Sequence, residues 1–80
     1  MTIRVVLFSR WDSYSFSADA FLFFKKTDAI AYVQELLSDE YERNAIEEKY
    51  FKQKTEECVK YFDDFGTYSF EILVEPKEIG

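Results

Sequence analysis

The carboxylates in the middle of the chain are the residues best suited to chemistry. Asp39, Glu40 and Glu42 stand close together, and Asp63 and Asp64 are adjacent. Paired carboxylates can act as general acid and base, or hold Mg²⁺ or Ca²⁺. These do not match a calcium loop of the Asp-x-Asp-x-Asp-Gly type, and acids near helix ends commonly interact with the helix dipole. We therefore expect no catalytic or metal site among them.

The other residues that support catalysis are scarce. Histidine, the most common general base and metal ligand near neutral pH, is absent. The only cysteine, Cys58, falls on the apolar side of a predicted helix, so we interpret it as a buried small hydrophobic residue. Gly66 and Gly80 are too few for a phosphate-binding loop. The sequence predicts a protein that is not an enzyme and has no cofactor.

Length, composition and charge narrow the possible fold, location and binding partners of the protein. Eighty residues, 48% of them hydrophobic, predict one globular domain covering residues 1–80. The longest apolar runs are far too short to span a bilayer, and a single thiol favours a reducing, cytoplasmic location. The net charge of −6 argues against direct nucleic-acid binding, because such binding needs an excess of Lys and Arg. With membranes and nucleic acids disfavoured, we expect the partner to be a protein.

The first third of the chain predicts two strands joined by an aromatic loop. Thr2 to Ser9 is rich in β-branched residues, and Ala20 to Lys25 alternates aromatic and aliphatic side chains. Between them, serines and aspartates are typical of a loop. This loop holds three large aromatic residues, which either fold back over the edge of the core or are presented to a partner: Trp11, Tyr14 and Phe16.

The middle of the chain predicts two helices. Thr27 is a suitable N-cap, and the apolar residues from Ala29 to Leu37 recur at helical spacing. Asn44 followed by Glu47 resembles a second capping box, although one unbroken helix to Phe62 is also allowed.

The last part of the chain predicts a third strand, and with it a fold class. From Tyr68 to Val74 the residues alternate with period two before Pro76 ends the pattern. We therefore expect a small α+β domain with the order β-β-α-α-β, in which a three-stranded, mainly antiparallel sheet packs against two helices. Gly66 is expected to end the second helix.

An apolar surface is expected on the side of the sheet away from the helices. Both faces of the first strand are apolar, and we place Val6 and Phe8 on this side together with Leu73. Such patches commonly mark interfaces. Either another part of the same chain covers this one, or it binds a partner or a second copy to form a homodimer.

Acidic residues are concentrated in the middle of the chain. Residues 35–64 contain ten acids and five bases. Glutamates spaced along a helix either form an ordinary solvated surface or imitate the phosphates of a nucleic acid toward a basic partner. The glutamates assigned to this surface are Glu47, Glu48, Glu56 and Glu57.

One arrangement of motifs resembles a group of known proteins. A strand, Arg10-Trp11-Asp12, the aromatic run Phe21 to Phe24 and a helix opening at Thr27-Asp28 follow one another over residues 3–37. This order is similar to that of small acidic accessory proteins of phages and mobile elements, among them anti-restriction and anti-CRISPR proteins. The resemblance implies a non-enzymatic inhibitor of a host nucleic-acid-handling protein. The alternative is a self-associating structural or assembly protein that dimerises through its sheet face.

Overall fold

The computed structural model describes residues 1–80, which form one α-helix and five strands. In chain order these are β1 (Thr2–Asp12), β2 (Phe16–Phe23), α1 (Lys26–Arg43), a 3-10 turn (Glu48–Tyr50), β3 (Phe51–Lys54), β4 (Cys58–Phe62) and β5 (Tyr68–Glu78). The strands form a single antiparallel sheet in the spatial order β2-β1-β5-β4-β3. The predicted three-stranded sheet packed against two helices is therefore wrong, since the molecule is mostly sheet and has one α-helix.

The two longest strands form the centre of the sheet. β1 and β5 have 11 residues each and pair along their whole length. Pro76 lies inside β5 and does not end it, in contrast to the prediction. On the β4 side of β5, Val74 donates its N–H to Glu57 O, and residue 76 faces the same way, beyond the end of β4. An N–H group at position 76 would point to a place where no strand lies. Proline therefore costs the sheet no hydrogen bond there.

Two of the three hairpins turn without glycine or proline, and the β4–β5 hairpin contains Gly66. The side chain of the first turn residue accepts a main-chain N–H from the turn in each hairpin, at 2.8 Å for Asp12, 3.1 Å for Thr55 and 2.9 Å for Asp63. These short polar side chains accept hydrogen bonds from main-chain N–H groups that have no main-chain partner in the turn. Because β1 and β2 extend to Asp12 and Phe16, most of the loop predicted over residues 10–19 is strand.

The first predicted helix is confirmed as α1. It begins at Lys26, so that Lys25 takes the N-cap position instead of Thr27, and no side chain caps it. Its buried face is the expected apolar stripe: Ala29, Val33, Leu36 and Leu37.

The second predicted helix is absent, and so is the unbroken helix to Phe62. Asn44 is the C-cap of α1, and its N–H donates to the carbonyl of Glu40. Residues 51–62 instead form the β3–β4 hairpin, in which Val59 and Tyr61 are buried in the core. The apolar residues of this segment also fit helical spacing, which is why periodicity alone gave the wrong element. Gly66 does adopt a left-handed conformation (φ 68°), but in the β4–β5 turn and not at a helix end.

Helix α1 covers one face of the sheet. The core between them contains residues from the helix and from β1, β4 and β5, together with Tyr50. Its largest fully buried side chains are Val6, Val33, Val59 and Ile72. No second helix covers the opposite face of the sheet.

Candidate functional site

The face of the sheet opposite α1, which we call the open face, is the main candidate site. Residues directly opposite each other in antiparallel strands point to the same side, so the strand register defines its rows. Across β2, β1, β5 and β4 the rows are Ala20-Leu7-Leu73-Cys58, Ala18-Ser9-Glu71-Lys60 and Phe16-Trp11-Ser69-Phe62, and Leu22-Val5-Glu75 lie beside the first. The neighbouring residues of these strands point to α1.

The predicted apolar surface is displaced by one residue on β1. Val6 is completely buried beneath α1, and Phe8 packs against the same core, so neither can meet a partner as predicted. Val5 and Leu7 lie on the open face in their place, and Leu73 lies there too. The reason is that both sides of β1 are apolar, so the pattern alone did not show which side the helix covers.

One half of the open face is aliphatic. Leu7 and Leu73 are directly opposite each other on the two central strands, and Ala20 extends their row to β2. These residues border a shallow depression of about 360 Å³. Leu22 stands beside them with 71% of its surface exposed. Cys58 closes the row on β4 and is half-buried, so it is neither in a helix nor fully buried as predicted.

The other half of the open face is aromatic. Trp11 and Phe16 are paired across the first hairpin and, with Phe62 of β4, border a second depression of about 340 Å³. Their exposed fractions are 41%, 67% and 48%, respectively. Tyr14, at the tip of the same hairpin, is 98% exposed. None of the loop aromatics is buried in the core, and their presentation to a partner stays a prediction.

A polar band separates the two halves. Ser9, Glu71 and Lys60 form a row across the three strands between the aliphatic and aromatic residues. Glu75 and Lys77 of β5 point to the same side, so the two glutamates and two lysines of β4 and β5 cancel in charge, and Lys52 of β3, which borders the aromatic depression, adds one positive charge. The net charge of −6 therefore resides on other surfaces of the molecule.

The four glutamates predicted to form an acidic helix lie in two separate places. Glu47 and Glu48 are at the 3-10 turn, and Glu56 and Glu57 are in the β3–β4 turn. They share no helix surface.

Two of these glutamates are bound within the chain. Glu48 accepts a hydrogen bond from the Tyr41 hydroxyl and lies 3.0 Å from the Lys54 ammonium, and both contacts hold its pKa below the usual value. Glu57 forms an ion pair with Lys26 at 2.6 Å, which likewise lowers its pKa. These contacts reduce the charge that the two glutamates can offer to a partner.

A buried polar cluster that the sequence analysis did not identify joins α1 to the sheet. Glu40 is 2% exposed, and its carboxylate accepts hydrogen bonds from the Tyr68 hydroxyl and, at 2.9 Å, from the Asn44 amide. Arg10 lies 3.5 Å from its other oxygen. Burial, and then the bond to Glu40, raise the pKa of Tyr68 well above its usual value of 10.

This cluster serves structure better than catalysis. No buried side-chain nitrogen or oxygen in the chain lacks a hydrogen-bond partner. Both oxygens of the Glu40 carboxylate thus have partners within the chain. A sequence signal did exist: Glu40 falls four residues after Leu36, on the buried side of α1.

Two further features of the chain concern metal binding and membrane crossing. No three side chains of His, Cys, Asp or Glu are grouped closely enough to hold a metal ion. α1, the one long helix, is not apolar enough to cross a membrane.

Comparison with known proteins gives no relative. No family model matches the chain, and no curated protein or solved structure matches it. The resemblance to accessory proteins of phages and mobile elements stays a prediction.

Proposed function

We propose that the protein is a non-enzymatic binding module that docks a partner protein on its open face. The observation that carries this proposal is the uncovered state of that face. Apolar side chains from four strands line it, and several large ones, such as Leu22 and Phe62, are about half exposed or more. Soluble domains seldom leave such a surface unused.

The free energy expected from burying the apolar part of the open face supports the proposal. Burying roughly 500 Å² of apolar surface at about 25 cal/mol per Å² would contribute on the order of 10 kcal/mol before the costs of association. Aromatic residues such as Trp11 and Phe16 are enriched at the energetic centres of interfaces. The polar band beside them supplies hydrogen-bonding groups that fix the orientation of a partner.

The charge of the molecule supports a protein over a nucleic acid as this partner. The net charge of −6 opposes phosphates, whereas the open face itself carries no excess of acidic residues and accepts a neutral apolar surface. Phosphate mimicry along a helix depended on a second helix that the fold lacks, and it is not part of this proposal. Inhibition of a host protein remains compatible with a binding module.

The proposal is tested by capture of a partner from lysate of the native host at low and high salt. Because docking on the open face is apolar, we expect a retained partner to stay bound at 1 M NaCl, where the Debye length is only about 3 Å. The double variant Leu22→Ser/Phe62→Ser should lose the partner. Phe65→Ser is the matched control, since it removes an aromatic residue that is 76% exposed and lies in the β4–β5 turn, outside the rows of the open face.

Two outcomes would contradict the proposal. Release of the wild-type partner at 1 M NaCl would show electrostatic capture. Undiminished binding by the double variant would place the interface elsewhere.

A further inference from the structure

The two edges of the sheet differ in how well they are protected against pairing. The β3 edge has only four residues, FKQK, with two lysines and an irregular register between Phe51 and Gln53. Short length, lysines and bulges are the devices by which natural sheets block edge pairing. The β2 edge has eight residues, FSADAFLF, with regular pairing, no lysine, no proline and one charge, Asp19. The chain therefore protects one edge and leaves the other open.

The register shows which main-chain groups of β2 are free. Asp12 donates its N–H to Ser15 O, so residues 12 and 15 form a hydrogen-bonded pair across the first hairpin. Such pairs alternate along an antiparallel ladder, so the odd-numbered residues of β2 bond to β1. The N–H and C=O groups of Phe16, Ala18, Ala20 and Leu22 then point outward from the sheet, where there is no further strand.

We propose that β2 pairs antiparallel with β2 of a second copy of this chain, about a two-fold axis at Ala20. The two five-stranded sheets would join into one continuous sheet. This inference goes beyond the proposed function and does not rest on it.

The strand is its own complement in this register. Ala20 faces Ala20 of the second copy, Ala18 faces Leu22, and Phe16 faces Phe24, which follows the strand directly. Every pair on the open face is apolar, and each leucine meets an alanine. The three pairs within β2 exchange two main-chain hydrogen bonds each, roughly six in all.

Asp19 selects this register over the nearest alternative. An axis at Asp19 would align the whole strand and allow roughly eight main-chain bonds, but it would place two carboxylates directly opposite each other. With the axis at Ala20, each Asp19 instead faces Phe21 of the other copy. Because Asp19 is the only charge in β2, pairing at this edge brings few like charges together, although each molecule has a net charge of −6.

Sedimentation of the purified chain at about 10 µM to 1 mM tests whether a second copy pairs with β2. We expect a concentration-dependent species of twice the 9.6 kDa monomer mass. Ala20→Lys places two like charges opposite each other at the axis and should weaken dimerisation roughly tenfold or more. Ala20 is exposed, so the variant should fold, which far-UV circular dichroism checks. Ala45→Lys is the matched control, an identical change at an exposed alanine outside β2.

Hydrogen exchange identifies the edge that pairs. At high concentration the amides of Ala18, Ala20 and Leu22 should become protected, whereas they should exchange rapidly when the protein is diluted or carries Ala20→Lys. A dimer in which these amides stay unprotected would overturn the proposal, because it would form through the open face or another surface. A wild-type chain that stays monomeric at about 1 mM would also overturn it and leave the edge to a different extended segment. Either result leaves the capture of a partner on the open face intact.

Discussion

Asp12, Thr55 and Asp63 occupy the same place in three different hairpins. Each begins a turn and accepts a main-chain hydrogen bond from it through its side-chain oxygen. Only one of the three turns contains a glycine, Gly66. A single carboxylate or hydroxyl thus takes over part of the role that glycine and proline have in most turns.

Stability at low pH is expected to depend on Asp63. The Thr67 hydroxyl at 2.5 Å and nearby N–H groups hold the pKa of this carboxyl below its ordinary value of 3.8. A carboxyl whose pKa is lower in the folded state stabilises the fold above its ordinary pKa, and the contribution is lost as the pH falls below that value. Urea unfolding between pH 5 and pH 2 should therefore show a steeper loss of unfolding free energy for the wild type than for Asp63→Asn.

The neighbouring Asp64 provides the control for this measurement. Its side chain is 70% exposed and reaches only Lys52, at 3.8 Å. Asp64→Asn should keep the steep pH dependence of the wild type. An Asp63→Asn variant with an unchanged slope would assign the acid sensitivity to other carboxyls.

Single residues also show where sequence reasoning reached its limit at the site. For Trp11 and Tyr14 the sequence allows two interpretations, folding back over the core or presentation to a partner, and both residues are exposed. Val6 and Phe8 were assigned to the same surface, but they belong to the core. A hydrophobic residue in a loop or at a strand end has few ways to be buried, whereas a strand that is apolar on both sides has two equivalent orientations until a helix covers one.

At the level of elements, the contact between α1 and the sheet depends on Glu40 as well as on apolar packing. The carboxylate binds Tyr68 of β5 and lies close to Arg10 of β1, the two central strands. A buried ion pair is weak support for stability by itself, but removing one partner leaves the others unsatisfied.

Glu40→Ala should therefore lower the unfolding free energy by about 2–4 kcal/mol, as read from urea denaturation. Glu42→Ala, two residues further on the exposed side of α1, should change it by less than about 0.5 kcal/mol. Equal effects of the two substitutions would refute the structural role assigned to the cluster.

Helices and strands were predictable where the sequence fits only one periodicity. The three-four spacing from Ala29 to Leu37 identified α1, and the period-two pattern from Tyr68 to Val74 identified β5. Residues 51–62 satisfy both periods, because Phe51, Cys58 and Phe62 fit a helix stripe while Val59 and Tyr61 alternate as in a strand. The deciding factor was tertiary: the two central strands offered an unpaired edge of β5, and β4 pairs with it.

At the level of the whole molecule, the open face and the β2 edge are continuous. The outward side chains of β2 belong to the open face, and its outward main-chain groups form the edge. A two-fold axis normal to the sheet keeps both open faces on the same side. Edge pairing would therefore double the surface available to a partner without covering it.

Salt should strengthen this dimer. Two copies of net charge −6 repel each other, and raising NaCl from 0.01 M to 0.15 M shortens the Debye length from about 30 Å to about 8 Å. We expect the dissociation constant measured by sedimentation to fall several-fold over this range. A dimer that weakens instead would be held by attraction between opposite charges, which the β2 edge does not provide.

The full-length pairing of β1 with β5 also brings Met1 and Ile79 together. Each accepts a main-chain hydrogen bond from the other, at 2.9 Å and 3.1 Å. Eleven residues of strand, about 36 Å at roughly 3.3 Å per residue, separate this corner from the turn that holds Tyr14. A reporter group or a surface tether attached beside Met1 or Ile79 would thus lie at the opposite end of β1 from Trp11. Protein immobilised in this way would keep its aromatic end accessible to a binding partner in solution.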